Sequence, residues 1–215
     1  MKNITKTLLA LTLIGTALPS AASTPPAELW GIGPIIRGRN YSQGMPLQPT
    51  PLRQGWFFDF PYPSAEAGHV HYVTFNPGSL LGKSRITVRY QVDAGRGTRF
   101  VPQESPGVPA TVSLYFQRRG DTWSAKGRYE NYRWYAPAHS VRQIRPGVQE
   151  LTVSLNDPAW GSIHSQTAAG SPGAFREALA DTSSLGLVFG TVGYRGHGVY
   201  STGPARFTLI SFDIY

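Results

Sequence analysis

Apolar and polar residues alternate through several short stretches of this chain. Between residues 85 and 92, Ile86, Val88, Tyr90 and Val92 fall on one side and Arg85, Thr87, Arg89 and Gln91 on the other. Between 111 and 119, Val112, Leu114 and Phe116 oppose Thr111, Ser113, Tyr115, Gln117 and Arg119. A period of two is that of a strand covered on one face and wet on the other. The closing stretch repeats it, Phe207, Leu209 and Ser211 against Thr208, Ile210 and Phe212, with both faces apolar enough to be covered. Runs rich in β-branched and aromatic residues, bounded by Gly, Pro, Asn or Asp, predict strands over 56–60, 69–75, 85–92, 111–119, 128–135, 150–155, 185–190 and 206–214. One helix is expected, with Ser171 as its cap, Pro172 in its first position, and Phe175, Ala178 and Leu179 at helical spacing before Asp181. The class this predicts is all-β: a two-sheet antiparallel β-sandwich with one short helix.

Two regions precede the first strand. Lys2 and Lys6, an apolar run from Leu8 to Leu18, and then Pro19-Ser20-Ala21-Ala22-Ser23 have the layout of a signal peptide, predicted over 1–23 with cleavage after Ala22 or Ser23. The run is shorter than the roughly 20 apolar residues that cross a bilayer, so no membrane span is expected and the product is assigned to the periplasm or the exterior. No cysteine follows the run to take a lipid anchor. From 24 to 55 the chain is interrupted by Pro25, Pro26, Pro34, Pro46, Pro49 and Pro51 and reads as a Pro/Gly-rich extended arm, leaving 56–215 as the sandwich domain.

Composition narrows the chemistry. With no cysteine in the chain, disulfides, thiolate metal sites and thiol catalysis are excluded, so stability must come from packing. The formal charge is +8, or +6 once Lys2 and Lys6 are removed. Lys83 and Lys126 are the lysines that remain, so 16 of the 20 basic residues are arginine, whose planar fork suits carboxylate, sulfate or phosphate. Export and the lack of a basic run argue against nucleic acid.

Two places gather residues that bind sugars. If the strands over 85–92, 111–119 and 128–135 share a sheet, its solvent face holds Arg89, Gln91, Tyr115, Gln117, Asn131, Arg133 and Tyr135. Flat rings meet the C–H faces of sugars, and amide and guanidinium donors meet their hydroxyls. In the other register of 128–135, Tyr132 and Trp134 are the exposed pair. The second place is the glycine-rich loop 193–203, where Tyr194, Arg195 and His197 can face a ligand, with Trp160 as a further stacking platform or a core plug. His69 and His71 sit two apart, as metal ligands on a strand do, but without a third ligand nearby in sequence. Arg119-Gly120-Asp121 reads as turn chemistry. No Glu-x-Asp-x-Glu strand pattern and no Gly-x-Ser-x-Gly elbow is present, which disfavours one common group of jelly-roll glycosidases and the serine hydrolases. A polysaccharide lyase needs only a Tyr or His base and an Arg or Gln beside the uronate, and those residue types are present.

Phe57-Phe58-Asp59-Phe60-Pro61, the turn at Gly120-Asp121, the helix ending Ala178-Leu179-Ala180-Asp181, and Leu185-Gly186-Leu187-Val188-Phe189-Gly190 followed by Phe207-Thr208-Leu209-Ile210-Ser211-Phe212-Asp213-Ile214 resemble the galactose-binding-like jelly roll of carbohydrate-binding modules. The resemblance covers most of the chain after the predicted signal peptide and is one of texture, with no diagnostic motif. It implies a jelly roll and a glycan partner; no cofactor is expected, although jelly rolls of this kind often carry a structural calcium, to which Asp59 or Asp213 would contribute, and no dense acidic loop marks such a site. The resulting expectation is an exported, non-catalytic domain binding a polysaccharide or cell-envelope glycan, an acidic one being favoured by the arginines. The alternatives are a lyase of acidic glycans and an envelope structural or protein-binding domain.

Overall fold

The computed structural model describes residues 24–215, so the signal-peptide expectation for 1–23 lies outside the described residues. Each predicted strand forms at least in part, and the strands pair antiparallel in two main sheets. The larger, of seven strands, runs Gly31–Gly33, Tyr72–Phe75, Thr182–Gly190, Thr111–Arg118, Arg133–Tyr135, Gly161–Ser162, with Arg142–Gln143 also paired to the start of Thr111–Arg118. The smaller, of five, runs Gly147–Ser154, Arg85–Ala94, Ala205–Ile214, Trp56–Asp59, Thr50–Pro51.

The alternation of the sequence decides what lies between them. Val73, Val112, Leu114, Phe116, Trp134, Leu185, Leu187 and Phe189 from the larger sheet meet Trp56, Phe58, Ile86, Val88, Tyr90, Val92, Phe207 and Leu209 from the smaller, all buried in one cluster. Phe58 stacks on Phe207 within its sheet at 5.3 Å and meets Phe189 across the core edge-on at 5.6 Å. Each such side chain contributes about 1.5–3 kcal/mol by leaving water, and in a cysteine-free chain that burial holds the sandwich together.

Four local expectations change. The strand Ala205–Ile214 has a bulge between Leu209 and Ser211. The extra residue reverses the alternation, so Phe212 joins Leu209 in the core in place of Ser211. Of 128–135 only Arg133–Tyr135 is strand, preceded by a 3-10 turn at Gly127–Tyr129. Trp134 points into the core, so Tyr132 and Trp134 are not an exposed pair. Residues 24–55 are no detached arm: Gly31–Gly33 edges one sheet and Thr50–Pro51 the other, where an edge tolerates proline. Trp30 is buried against Phe75 and Trp56, with ring centroids 4.5 and 5.0 Å apart. The helix, Pro172–Ala180, begins on Pro172 as expected, but Ser171 caps it without a side-chain hydrogen bond. Its Phe175 packs on Trp134 and Phe116 and closes that end of the core. Among the described residues no helix is long and apolar enough to cross a membrane.

Candidate functional site

The outer face of the larger sheet does bring Tyr115, Gln117, Arg133 and Tyr135 together, with Tyr135 opposite Tyr115 and Arg133 opposite Gln117. That face is not wet. Tyr115 is 1% exposed, Arg133 6%, Tyr135 7% and Gln117 9%, which removes them as a ready platform for sugar rings. Loops 121–126 and 162–166 cover them, joined where His164 Nε2 lies 2.7 Å from the Ala125 carbonyl. Trp123 packs edge-on to Tyr72 at 5.5 Å and under the Arg133 guanidinium at 4.9 Å.

Asp121 fastens this cover. Its side chain is fully buried and accepts Gln117 Nε2 at 2.7 Å and the Trp123 backbone N–H at 3.1 Å. Arg133 Nε stands 3.0 Å from the same carboxylate, off the line of a hydrogen bond, while another guanidinium nitrogen donates to the Trp123 carbonyl. Arg133 is therefore a neutralised strut and not a free fork for an acidic ligand. Asp121 is more than turn chemistry: an aspartate that accepts the N–H two residues on is an Asx turn, here carried inward to meet a buried arginine. Burial pushes the phenols of Tyr72 and Tyr115 well above their ordinary pKa and raises that of Tyr135, so all three are neutral at physiological pH.

Arg89 and Gln91 do not belong to this face. Their strand lies in the smaller sheet, and they point away from the core on the opposite side of the sandwich. No groove shared by Arg89 and Arg133 exists. Asn131 lies in the turn before Arg133–Tyr135, with its side-chain oxygen buried and unpartnered. Trp160 is a core plug, fully buried, with its indole N–H donating to the Ser154 carbonyl at 2.8 Å.

The residues that do face a ligand-sized space lie at the sheet's edge. Segments 135–138, 159–167 and 192–197 bound an open cleft of about 560 Å³, lined by Tyr135, Tyr194, Arg195 and His197 together with Ser162, Ser165 and Thr167. Glycine lets loop 191–198 lie flat against the sheet. A Cβ on Gly196 (φ +75°) would fall 2.1 Å from the Tyr72 hydroxyl, and one on Gly198 (φ +93°) 2.6 Å from His71 Nε2. Arg195 donates to the carbonyls of Ala136 and Val192, tying the loop to the far wall, and burial lowers its pKa. Tyr194 is 54% exposed, with its ring edge-on to His197 at 5.6 Å. His197 Nδ1 lies 2.8 Å from Glu104 Oε2. The Ser162 hydroxyl, on a residue only 6% exposed, has no partner among the described residues. Sequence reasoning missed Ser165 and Thr167, because small hydroxyl residues in a loop give no signal until the loop's partner is known.

His69 and His71 are both buried and hydrogen-bonded to each other, Nδ1 to Nε2, at 2.6 Å. His71 Nδ1 donates to the Gly196 carbonyl at 2.7 Å, which leaves Nε2 to accept from His69. Both rings are thus committed to holding the loop. Among the described residues no group of three or more His, Cys, Asp or Glu could hold a metal ion. Asp59 makes a bidentate pair with Arg206 at 2.7 and 2.9 Å, and Asp213 lines a surface recess that Arg53 and Arg89 also line.

No known family profile matches the chain, and no curated protein matches it. Among solved structures the chain is similar to a carbohydrate-binding module, CBM28, described as specific for non-crystalline cellulose. The identity is 14%, over 93% of this chain and 94% of that one, with a TM-score of 0.46. No residue and no ligand is carried over from it.

Proposed function

We propose that this protein is an exported, non-catalytic carbohydrate-binding domain that takes a glycan in the cleft bounded by 135–138, 159–167 and 192–197. The observation that carries this reading is the cleft's make-up. An exposed tyrosine ring, Tyr194, shares the lining of the cleft with the exposed polar residues Ser165 and Thr167 and with Arg195 and His197. A sugar offers a match to both, an apolar C–H face for the ring and hydroxyls for the polar residues. The loop that presents Tyr194 is held down by His71 and Arg195, so little ordering is lost on binding. Affinity electrophoresis and calorimetry of the 24–215 protein against neutral and acidic polysaccharides test the reading. Tyr194→Ala is expected to weaken binding by roughly 1–2 kcal/mol without changing the melting temperature. Failure of every polysaccharide to bind would reject the proposal.

The His197–Glu104 pair supports a second reading, a lyase of acidic glycans. A carboxylate on Nδ1 leaves Nε2 to take the C5 proton of a uronate in the same cleft; the C4=C5 double bond forms as the glycosidic C4–O bond breaks, the departing oxygen takes a proton from solvent, and Arg195 lies nearby to neutralise the uronate carboxylate. That reading requires a rise in absorbance from an unsaturated uronate product when protein meets alginate, pectin or a glycosaminoglycan. A flat trace across pH and calcium removes it.

A further inference from the structure

A second recess, of about 360 Å³, lies beside the opposite edge strand of the same sheet, lined by Ile36, Arg37, Arg39, Tyr41, Trp123 and Ser124 together with Thr122. One wall is the tight hairpin in which Ile35–Ile36 pairs with Arg39–Asn40. Arg37 (φ 51°) and Gly38 (φ 79°) occupy its two turn positions in the left-handed region, as a two-residue hairpin of this hand requires. Two side-chain bonds anchor the hairpin to the sheet strand Gly31–Gly33, and a third, backbone bond closes its base. Asn40 Nδ2 donates to the Ile32 carbonyl at 2.9 Å, the Ser42 hydroxyl to the Gly33 carbonyl at 2.6 Å, and the Tyr41 N–H to the Pro34 carbonyl at 2.9 Å. The other wall is the Asp121–Trp123 turn, fixed by the buried carboxylate described above.

What the recess presents is cationic and aromatic at once. Among the described residues Arg37 and Arg39 have no carboxylate within ion-pairing distance, whereas Arg118, Arg119, Arg133 and Arg206 each have one. Arg39 rests over the Tyr41 ring at 5.3 Å, and Tyr41 is 40% exposed. Thr122 and Ser124 bring their hydroxyls together at 3.0 Å on the facing turn. Two unpaired guanidinium groups on an anchored hairpin, opposite a tryptophan and two hydroxyls, match a sugar ring that carries a negative group. The ring lies against the aromatics and the anion meets the forks.

We infer that this recess is an anionic-saccharide site, separate from the Tyr194 cleft, in which Arg37 and Arg39 bind the carboxylate or sulfate of a charged glycan. It rests on the carbohydrate-binding reading and adds a charge preference and a second point of contact. The Arg89–Arg133 pairing that the sequence suggests for this role is closed by the fold, which leaves the role to arginines without acidic partners.

The test uses the 24–215 protein with an oligogalacturonate, dextran sulfate and neutral dextran, read by calorimetry and by the indole N–H signal of Trp123, assigned with Trp123→Phe. The charged saccharides are expected to shift the Trp123 signal and neutral dextran to leave it in place. The R37Q/R39Q variant is expected to lose affinity for the charged probes about tenfold, and wild-type affinity to fall as salt is raised. A preference between oligogalacturonate and dextran sulfate distinguishes carboxylate from sulfate. R96Q/R99Q, which removes two exposed arginines elsewhere, is expected to change little; an equal loss there would mean attraction by net charge alone and overturn the site. A Trp123 signal unmoved by charged probes also overturns it, even where Tyr194 signals move. Movement at Trp123 with none at Tyr194 would keep this site and reject the first cleft.

Discussion

Acidification should loosen this fold through one buried imidazole. His71 is 8% exposed, and burial pulls its pKa from 6.5 down to about 4, against the opposing pull of the Gly196 carbonyl. The groups around it on balance disfavour a second proton. Nδ1 already donates to Gly196 O, Nε2 accepts from His69 at 2.6 Å, and His69 and His197 also disfavour a charge there, while the Gly196 carbonyl and, less strongly, Glu104 favour it. A proton on His71 Nε2 would set it against the His69 Nδ1–H that now donates to it, and would put an uncompensated charge in the buried layer under the loop that carries Tyr194 and His197. The unfolded chain protonates this histidine near 6.5 and the folded one only near 4, so between those values the unfolded state holds more protons. Stability is therefore complete above about pH 6.5, falls as pH drops through that window, and levels off below about 4, the loss reaching roughly 3 kcal/mol. Urea melts at steps from pH 7.5 to 4, run on wild type and on His71→Gln, report the contribution of His71 and of its coupling to His69, whose pKa burial also lowers, since groups away from this pair titrate alike in both. The difference curve should carry the slope, and the His71 Cε1–H signal should titrate near pH 4. A His71 that titrates near 6.5, or parallel stability curves for the two proteins, would refute the reasoning.

Three further outcomes follow from the packing. Asp121→Ala leaves Arg133 buried without its counter-charge and Gln117 without an acceptor, and should cost about 3–5 kcal/mol in urea melts; a loss below 1 kcal/mol would mean the turn reorganises freely. Gly198→Ala puts a Cβ against the His71 ring at positive φ and should destabilise by roughly 1–3 kcal/mol while shifting loop amides in NMR spectra. Trp160→Ala should cost about 3–5 kcal/mol, seen as a lowered melting temperature, because the ring fills the core between Phe116 and Phe175; a stable variant with impaired sugar binding would restore it as a platform.

The alternation of Val112, Leu114 and Phe116 with Ser113, Tyr115 and Gln117 names two faces correctly, and so does that of Ile86, Val88 and Tyr90 with Thr87, Arg89 and Gln91. Nothing in either pattern tells which polar face stays wet. The Arg89 face does, and the Tyr115 face is roofed by loops from 121 and 162, a fact settled by contacts distant in sequence. Sheet membership is hidden for the same reason. Arg85–Ala94 and Thr111–Arg118 are successive long strands, yet the first pairs with Gly147–Ser154 and Ala205–Ile214 and the second with Arg133–Tyr135 and Thr182–Gly190. Two strands that cross from one sheet to the other look the same on paper as two that pair. The loop residues Tyr194, Arg195 and His197 were legible as a group because glycines on both sides announced a close approach of backbone to something, and that something is the His71 and Tyr72 side chains.

The partnering of the arginines carries the last step. An arginine whose fork is filled by a buried carboxylate can stabilise a turn but cannot choose a ligand, and Arg133 is of that kind. Arg195 spends donors on two carbonyls and shapes a cleft wall, so it contributes position more than recognition there. Arg37 and Arg39, on a hairpin anchored through Asn40 and Ser42 and with no carboxylate paired to either guanidinium among the described residues, have the opposite balance: held in place and without an acidic partner. Selection between neutral and charged glycans should therefore fall to the hairpin, while the Tyr194 cleft, where ring and hydroxyl contacts dominate, should bind both with little dependence on salt.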